Sequence, residues 1–261
     1  MRPIALPLFL FAAALILPGT ASAQSSSTSP QPAQSTAAPV RHTHTGTDPA
    51  LYHPSALRAK APDVYEVKFT TTKGDFVVQV TRAWAPLGAD RFYNLVRHGF
   101  YNGDSFFRVV PGFVVQFGLS PSPTVNKVWE NATIKDDAVT QSNLPAYLTF
   151  ATSGANSRTT QVFINLGNNS SLDPQGFAPF GKVTSGIEVV QALFSGYGDL
   201  PEMGGRGPSE GQIAAHGKAY LEKDFPKLDS IVSAVVISPA PAAHPAPHRA
   251  TGAAAATSPK P

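Results

Sequence analysis

Between residues 63 and 238, apolar residues recur in short alternating runs broken by glycine and proline, which restricts this stretch to a fold built mainly of strands. Tyr65, Val67 and Phe69 alternate with Glu66, Lys68 and Thr70. Lys73-Gly74-Asp75 then reads as a turn, and Phe76, Val78 and Val80 resume the alternation. This is a β-hairpin with one buried face. Pro86 suits the first turn of a helix, with Ala89, Phe92, Leu95 and Val96 at helical spacing and Gly99 as its stop. Residues 104–118 read as two strands folded about Pro111-Gly112, the pair a type II turn favours at its centre. Apolar runs at 146–151, 161–166, 177–183 and 230–237 predict further strands, and Ile187, Val190, Leu193 and Phe194 predict a second helix ending at Gly196. Many short strands with two helices imply a mostly antiparallel barrel or sandwich.

The flanks are different in kind. In residues 1–23, Arg2 is the single charge, an apolar stretch runs from 4 to 17, and Pro18-Gly19 precedes Ala21-Ser22-Ala23. That is the layout of a cleavable signal peptide. The apolar run, interrupted by Pro7, is shorter than the roughly 20 residues that span a bilayer. Residues 24–62 are rich in Ser, Thr, Ala, Gln and Pro, and residues 239–261 in Pro and Ala. Such segments lack the apolar surface to offset their chain entropy and are expected to be disordered. The expected mature product is thus one soluble domain, 63–238, flanked by the two tails, exported to the periplasm or beyond, with no membrane insertion.

The chain has no cysteine, which rules out disulfides, a thiolate metal site and a lipid-anchored cysteine. Residues 63–238 carry 14 basic and 16 acidic side chains, so nothing resembles the dense basic face that nucleic-acid binding requires. His42, His44, His53, His244 and His248 lie in the flanks without a carboxylate partner and read as solvated rather than metal-binding. Asp136-Asp137 reads as a solvated turn, and Gly204-Gly205-Arg206-Gly207 lacks the Lys-Ser/Thr of a phosphate loop.

Two clusters carry chemistry. The first is the ribbon Phe106-Phe107-Arg108-Val109-Val110-Pro111-Gly112-Phe113-Val114-Val115-Gln116-Phe117-Gly118, in which the turn brings a cation, Arg108, beside Gln116 on an otherwise apolar hairpin. An arginine there is costly unless it is exposed or has a partner. In the second, a loop of small polar residues from Ala151 leads into a strand bearing Gln161 and Phe163.

Together these clusters resemble the signature of the cyclophilin family of peptidyl-prolyl isomerases. The pattern Phe-x-Arg, two aliphatic residues, Pro-Gly-Phe-x-x-Gln-x-Gly is met at every fixed position from Phe106 to Gly118. Small residues followed by Thr160-Gln161-Val162-Phe163-Ile164, then Leu172-Asp173 and Phe180-Gly181-Lys182-Val183, follow in the family's order. The resemblance implies a closed eight-stranded antiparallel β-barrel capped by two α-helices, acting as a monomer on X-Pro bonds of unfolded polypeptides without metal or cofactor. Carried over residue by residue, it implies Arg108 as the catalytic guanidinium. Phe113, Val114, Phe163 and Leu172 become a proline pocket, and Gln116, Ala151 and Gln161 line the peptide backbone. Two departures stand out: Ser171 replaces a tryptophan often found before the Leu172 position, and the family's pocket histidine has no clear equivalent, because the stretch from Asp173 to Phe180 is one residue longer than the pattern, with Phe177 its expected occupant. A proline-binding module or chaperone with little catalytic role is the competing expectation; it would not need Arg108, Phe113 and Gln116 together.

Overall fold

The computed structural model describes residues 47–238; residues 1–23 and 239–261 lie outside them. Eight strands are present among the described residues: β1 (Val64–Thr71), β2 (Gly74–Thr81), β3 (Arg108–Val110), β4 (Val114–Phe117), β5 (Tyr147–Phe150), β6 (Val162–Asn165), β7 (Pro179–Ser185) and β8 (Ile231–Ser238). They form one sheet in the order β3-β4-β6-β5-β7-β2-β1-β8, with every pair antiparallel. The two ends of the sheet meet where residues 103–106, ahead of β3, touch residues 229–231 at the start of β8. Ser105 bridges Ser230, the Phe106 amide donates to the Asp229 carbonyl at 3.0 Å, and the Ile231 amide donates to the Asp104 carbonyl at 2.8 Å. The sheet therefore curls until its edges touch, but no ladder zips them, and the closed barrel expected from the resemblance is open along this seam. The reason is local: β3 is three residues long and is preceded by tight turns at 99–104, which leaves little strand to pair with β8.

Four helices are present among the described residues rather than the two expected: α1 (Pro86–Arg97), α2 (Pro123–Trp129), α3 (Ile187–Gln191) and α4 (Glu210–Asp224). The expected second helix is only the short α3. Helix α1 has no capping side chain on its own N-cap residue, Ala85. Asp137 supplies the cap from 50 residues away, accepting from the Leu87 and Gly88 amides at 3.0 and 2.9 Å. This corrects the reading of Asp137 as solvated: its side chain is 3% exposed and pairs with Arg158 at 3.0 Å. Helix α4 is bent at Gly217 (φ 57°), where a Cβ would stand 2.2 Å from the Pro121 carbonyl, so glycine allows α4 to lie against the segment leading into α2.

Period-two alternation sends Tyr65, Val67, Phe69, Phe76, Val78 and Val80 inward, where each is at most 1% exposed. Phe69 stacks on Phe76 at 4.7 Å and meets Phe117 edge-on at 5.8 Å. The boundary at residue 63 also shifts. Residues 47–62, expected within a disordered linker, lie against the domain. Leu51 is 3% exposed and its carbonyl accepts from the Trp129 indole at 2.8 Å, while Asn94 clasps the Ala59 backbone at 3.1 and 2.7 Å. Two isolated apolar residues, Leu51 and Ala61, and backbone bonding suffice to order a segment whose composition gives no periodic signal.

Candidate active site

The hairpin β3–β4 turns at Pro111-Gly112, where Gly112 has φ 75° and the Phe113 amide donates to the Val110 carbonyl at 2.9 Å. The resulting register pairs Val110 with Val114, Val109 with Val115 and Arg108 with Gln116, and β6 continues it with Gln116 opposite Phe163. Alternation then separates the two faces. Val109, Val115, Phe117, Val162 and Ile164 belong to the core, and Arg108, Val114, Gln116, Gln161 and Phe163 fall on the other face. Gly118 (φ 112°) lets β4 close on the loop before β6, since a Cβ there would stand 2.5 Å from the Thr160 carbonyl.

A groove of about 680 Å³ opens on this outer face. Its walls include all nine residues singled out in the sequence: Arg108, Phe113, Val114, Gln116, Ala151, Gln161, Phe163, Leu172 and Phe177. Ala151 is held by its amide bond to the Gln161 carbonyl at 3.0 Å. Phe177 meets Phe163 edge-on at 5.8 Å, so the slot beside Val114 is apolar on several sides. Leu172 is placed by a turn that Asp173 ties down, accepting from the Ser142 hydroxyl at 2.5 Å and from the Asn143 amide at 2.9 Å. Burial works to raise the Asp173 carboxyl, but these donors outweigh it and hold the group below its ordinary range.

Arg108 is the one cation on the groove wall among the described residues, and its side chain is 13% exposed. Its Cζ lies 5.4 Å from the Phe113 ring centroid. Nη1 donates to Gln116 Oε1 at 2.9 Å, while Nε and Nη2 donate to the Asp199 carboxylate at 2.7 and 3.3 Å. Gln116 Nε2 donates in turn to Gln161 Oε1 at 2.8 Å and to Glu210 at 3.1 Å.

A second wall comes from residues 196–228, which contribute Leu200, Glu202, Met203, Glu210, Gly211 and Ala214. This wall rests on a second apolar cluster of Phe107, Leu200, Ile213 and Leu221, distinct from the main core. Phe106 and Phe107 are therefore both buried, on opposite faces. Glu210 is desolvated here. Burial pushes its carboxyl up, Gln161 draws it down, and Glu202 adds to the rise. None of this wall was anticipated from the sequence. The available signal was Ser209 followed by Ile213, Tyr220 and Leu221, weakened by glycines at 211 and 217.

Residues 66–206 match the family model described as "Cyclophilin type peptidyl-prolyl cis-trans isomerase/CLD". The chain belongs to the cyclophilin family. It is 38% identical over 133 residues to peptidyl-prolyl cis-trans isomerase A of Dickeya dadantii, covering 49% of this chain and 70% of that protein. Peptidyl-prolyl cis-trans isomerase B of Escherichia coli is 30% identical over 181 residues, covering 66% of this chain and 99% of that protein. The crystal structure of a cyclophilin type peptidyl-prolyl cis-trans isomerase from Cryptosporidium parvum overlays with a TM-score of 0.49 at 21% identity, over 67% of this chain and 98% of the other. This cyclophilin is a peptidyl-prolyl cis-trans isomerase, an enzyme class that acts on proline-containing polypeptides. Helix α4, and with it Glu210, lies beyond the family match.

Proposed function

We propose that this cyclophilin is exported and accelerates X-Pro isomerisation in unfolded polypeptides, with Arg108 as the donor that stabilises the twisted imide. Partial double-bond character sets the barrier of a peptide bond at about 18–20 kcal/mol, and an uncatalysed X-Pro bond turns over in tens to hundreds of seconds. A rate gain of about 10⁵ requires binding the twisted state about 7 kcal/mol more tightly than the planar one. As the amide twists it loses resonance, and its nitrogen becomes pyramidal and recovers a lone pair. A fixed N–H aimed at that lone pair acts only on the transition state.

The observation that carries this reading is the position of the guanidinium at the edge of the apolar slot, over the Phe113 ring and fixed by Gln116. Asp199 and Gln116 together accept three hydrogen bonds from it. A guanidinium has five N–H groups, so one remains on each terminal nitrogen for substrate. Phe113, Val114, Phe163 and Leu172 hold the proline ring while the preceding carbonyl swings, with Phe177 closing the slot. Gln116, Ala151 and Gln161 engage the backbone of the client. The steps use no proton transfer and no bond cleavage.

An exchange or protease-coupled assay on an Ala-Pro peptide tests this. Arg108→Ala should lower kcat/KM at least about 100-fold, the usual cost of losing a transition-state donor, while melting stays cooperative. Turnover that survives the substitution unchanged removes the mechanism. Export rests on the character of residues 1–23 and predicts a mature N-terminus at Gln24 by mass spectrometry of the secreted or periplasmic fraction. An intact Met1 in the cytosolic fraction would contradict it. Sedimentation should show a monomer.

A further inference from the structure

We propose that Asp199 is a positioning residue for Arg108, and that Gly204-Gly205-Arg206-Gly207 is the cradle that fixes it. This rests on the reading of Arg108 as the donor. A guanidinium on a long flexible stem stabilises a transition state only if its free N–H groups are already aimed when the imide begins to twist. Strand β3 is the end strand of the sheet and cannot by itself fix the far end of that side chain. Gln116 fixes one terminal nitrogen. Asp199 holds the opposite edge through Nε and Nη2, which turns the remaining N–H groups toward the groove and offsets the desolvation of the cation.

Asp199 is itself held at several points. Its Oδ1 accepts from the Leu200 amide at 2.7 Å, and its carbonyl accepts from the Gly207 amide at 2.8 Å. The Gly205 amide donates to the Leu200 carbonyl at 2.8 Å, and Leu200 is anchored in the outer apolar cluster. The glycine loop wraps the Asp199 backbone so closely that a Cβ at 205 would stand 2.0 Å from the Asp199 carbonyl oxygen, and one at 207 would stand 2.8 Å from it. Only glycine fits position 205 without moving the carboxylate. The glycine run that makes no phosphate loop thus acquires a role: it sets the coordinates of the group that aims Arg108.

The test is a double-mutant cycle on the full chain, with kcat and KM determined separately. Asp199→Asn should lower kcat about tenfold and leave KM within about twofold. In an Arg108→Ala background it should cost nothing more, because there is no guanidinium left to aim. Gly205→Ala, whose added methyl meets only the Asp199 backbone and displaces it, should reproduce the kcat loss. The Arg108 Nε–H resonance should be sharp and slow to exchange in the native protein and broadened in both variants. Unchanged kcat in Asp199→Asn, with Arg108→Ala impaired, overturns the inference and leaves a merely structural ion pair. A rise in kcat also overturns it, making Asp199 a brake. Full activity of Arg108→Ala would instead sink the donor reading itself. Should Asp199→Asn fail to fold, Gly205→Ala and the Nε–H line decide the matter, and a native kcat with an unaltered line in that variant refutes the cradle.

Discussion

The two walls of the groove are made differently. On the sheet wall, Arg108, Val114, Gln116 and Phe163 stand at positions dictated by ladder register, so each is placed by hydrogen bonds running across three strands. On the second wall, Leu200, Glu202, Met203 and Glu210 belong to residues 196–228, which contribute no strand to the sheet and rest on a small apolar cluster shared with Phe107. The difference is one of cooperativity. The sheet wall is expected to loosen only with the main core and the second wall to open more locally, because fewer buried apolar residues hold it.

The largest effect expected from this comparison is on stability. Ile213→Ala should cost about 2–4 kcal/mol, the usual range for truncating a buried isoleucine, and amide exchange should speed up in 196–228 while β1, β2 and β7 keep their protection. Leu148→Ala, a similar truncation in the main core, should instead expose all regions together. If Ile213→Ala raised exchange equally everywhere, the two walls would be one cooperative unit.

On the sheet wall, Gln116→Ala removes the acceptor for Arg108 Nη1 and the donor to Gln161 and Glu210. A loss of about 1–2 kcal/mol in transition-state stabilisation, or about 5–30-fold in kcat/KM, is expected. A melting temperature within a few degrees of the parent would confirm that the loss is local. A value of kcat/KM within twofold of the parent would show that Gln116 does not help to place the guanidinium.

Beneath the seam, Asp104 is fully buried and neither carboxyl oxygen makes a hydrogen bond. Burial pushes its carboxyl well above the ordinary range, against a smaller opposing pull from the Gly118 backbone. The folded state therefore holds this proton more tightly than the unfolded chain does. Its contribution is fully present below the unfolded value and is lost as pH rises toward the folded one. Asp104→Asn should flatten the pH dependence of melting above the ordinary carboxylate range, and an unaltered profile would show that Asp104 does not set it.

Glu210, on the second wall, should behave in the same sense and more weakly. Burial raises its carboxyl, Gln161 and Gln116 donate to it, Arg108 opposes the rise, and Glu202 adds to it. Glu210→Gln should raise the melting temperature slightly at neutral pH, with the gain fading as pH falls into the ordinary carboxylate range. A gain that persisted in acid would place its origin elsewhere.

The sequence discloses these two walls unequally. Alternation in β1 and β2, the Pro111-Gly112 turn and the spacing from Phe106 to Gly118 are local signals, and they located the strands and the residues that line the sheet wall. The seam was not legible, because whether β3 meets β8 depends on how many residues the turns at 99–104 consume. Asp199 was also out of reach. It lies 91 residues from Arg108 in a stretch without periodicity, and only the fold brings the two together. Helix α4 was masked by Gly211 and Gly217, which weaken helical propensity; Gly217 is required by the close approach to Pro121. Residues 47–62 escaped notice because long-range backbone bonds leave no trace in composition.

In the proposed function a proline segment binds in the groove lined by both walls. Titrating the isotope-labelled protein with a short Ala-Pro peptide and following backbone amides tests it most directly. Shifts are expected at Phe113, Gln116, Gln161 and Phe163 together with Leu200, Met203 and Gly211, saturating with one affinity. Shifts gathered instead around the separate cavity beside Arg58, Asn94 and Thr133, with both walls silent, would contradict it.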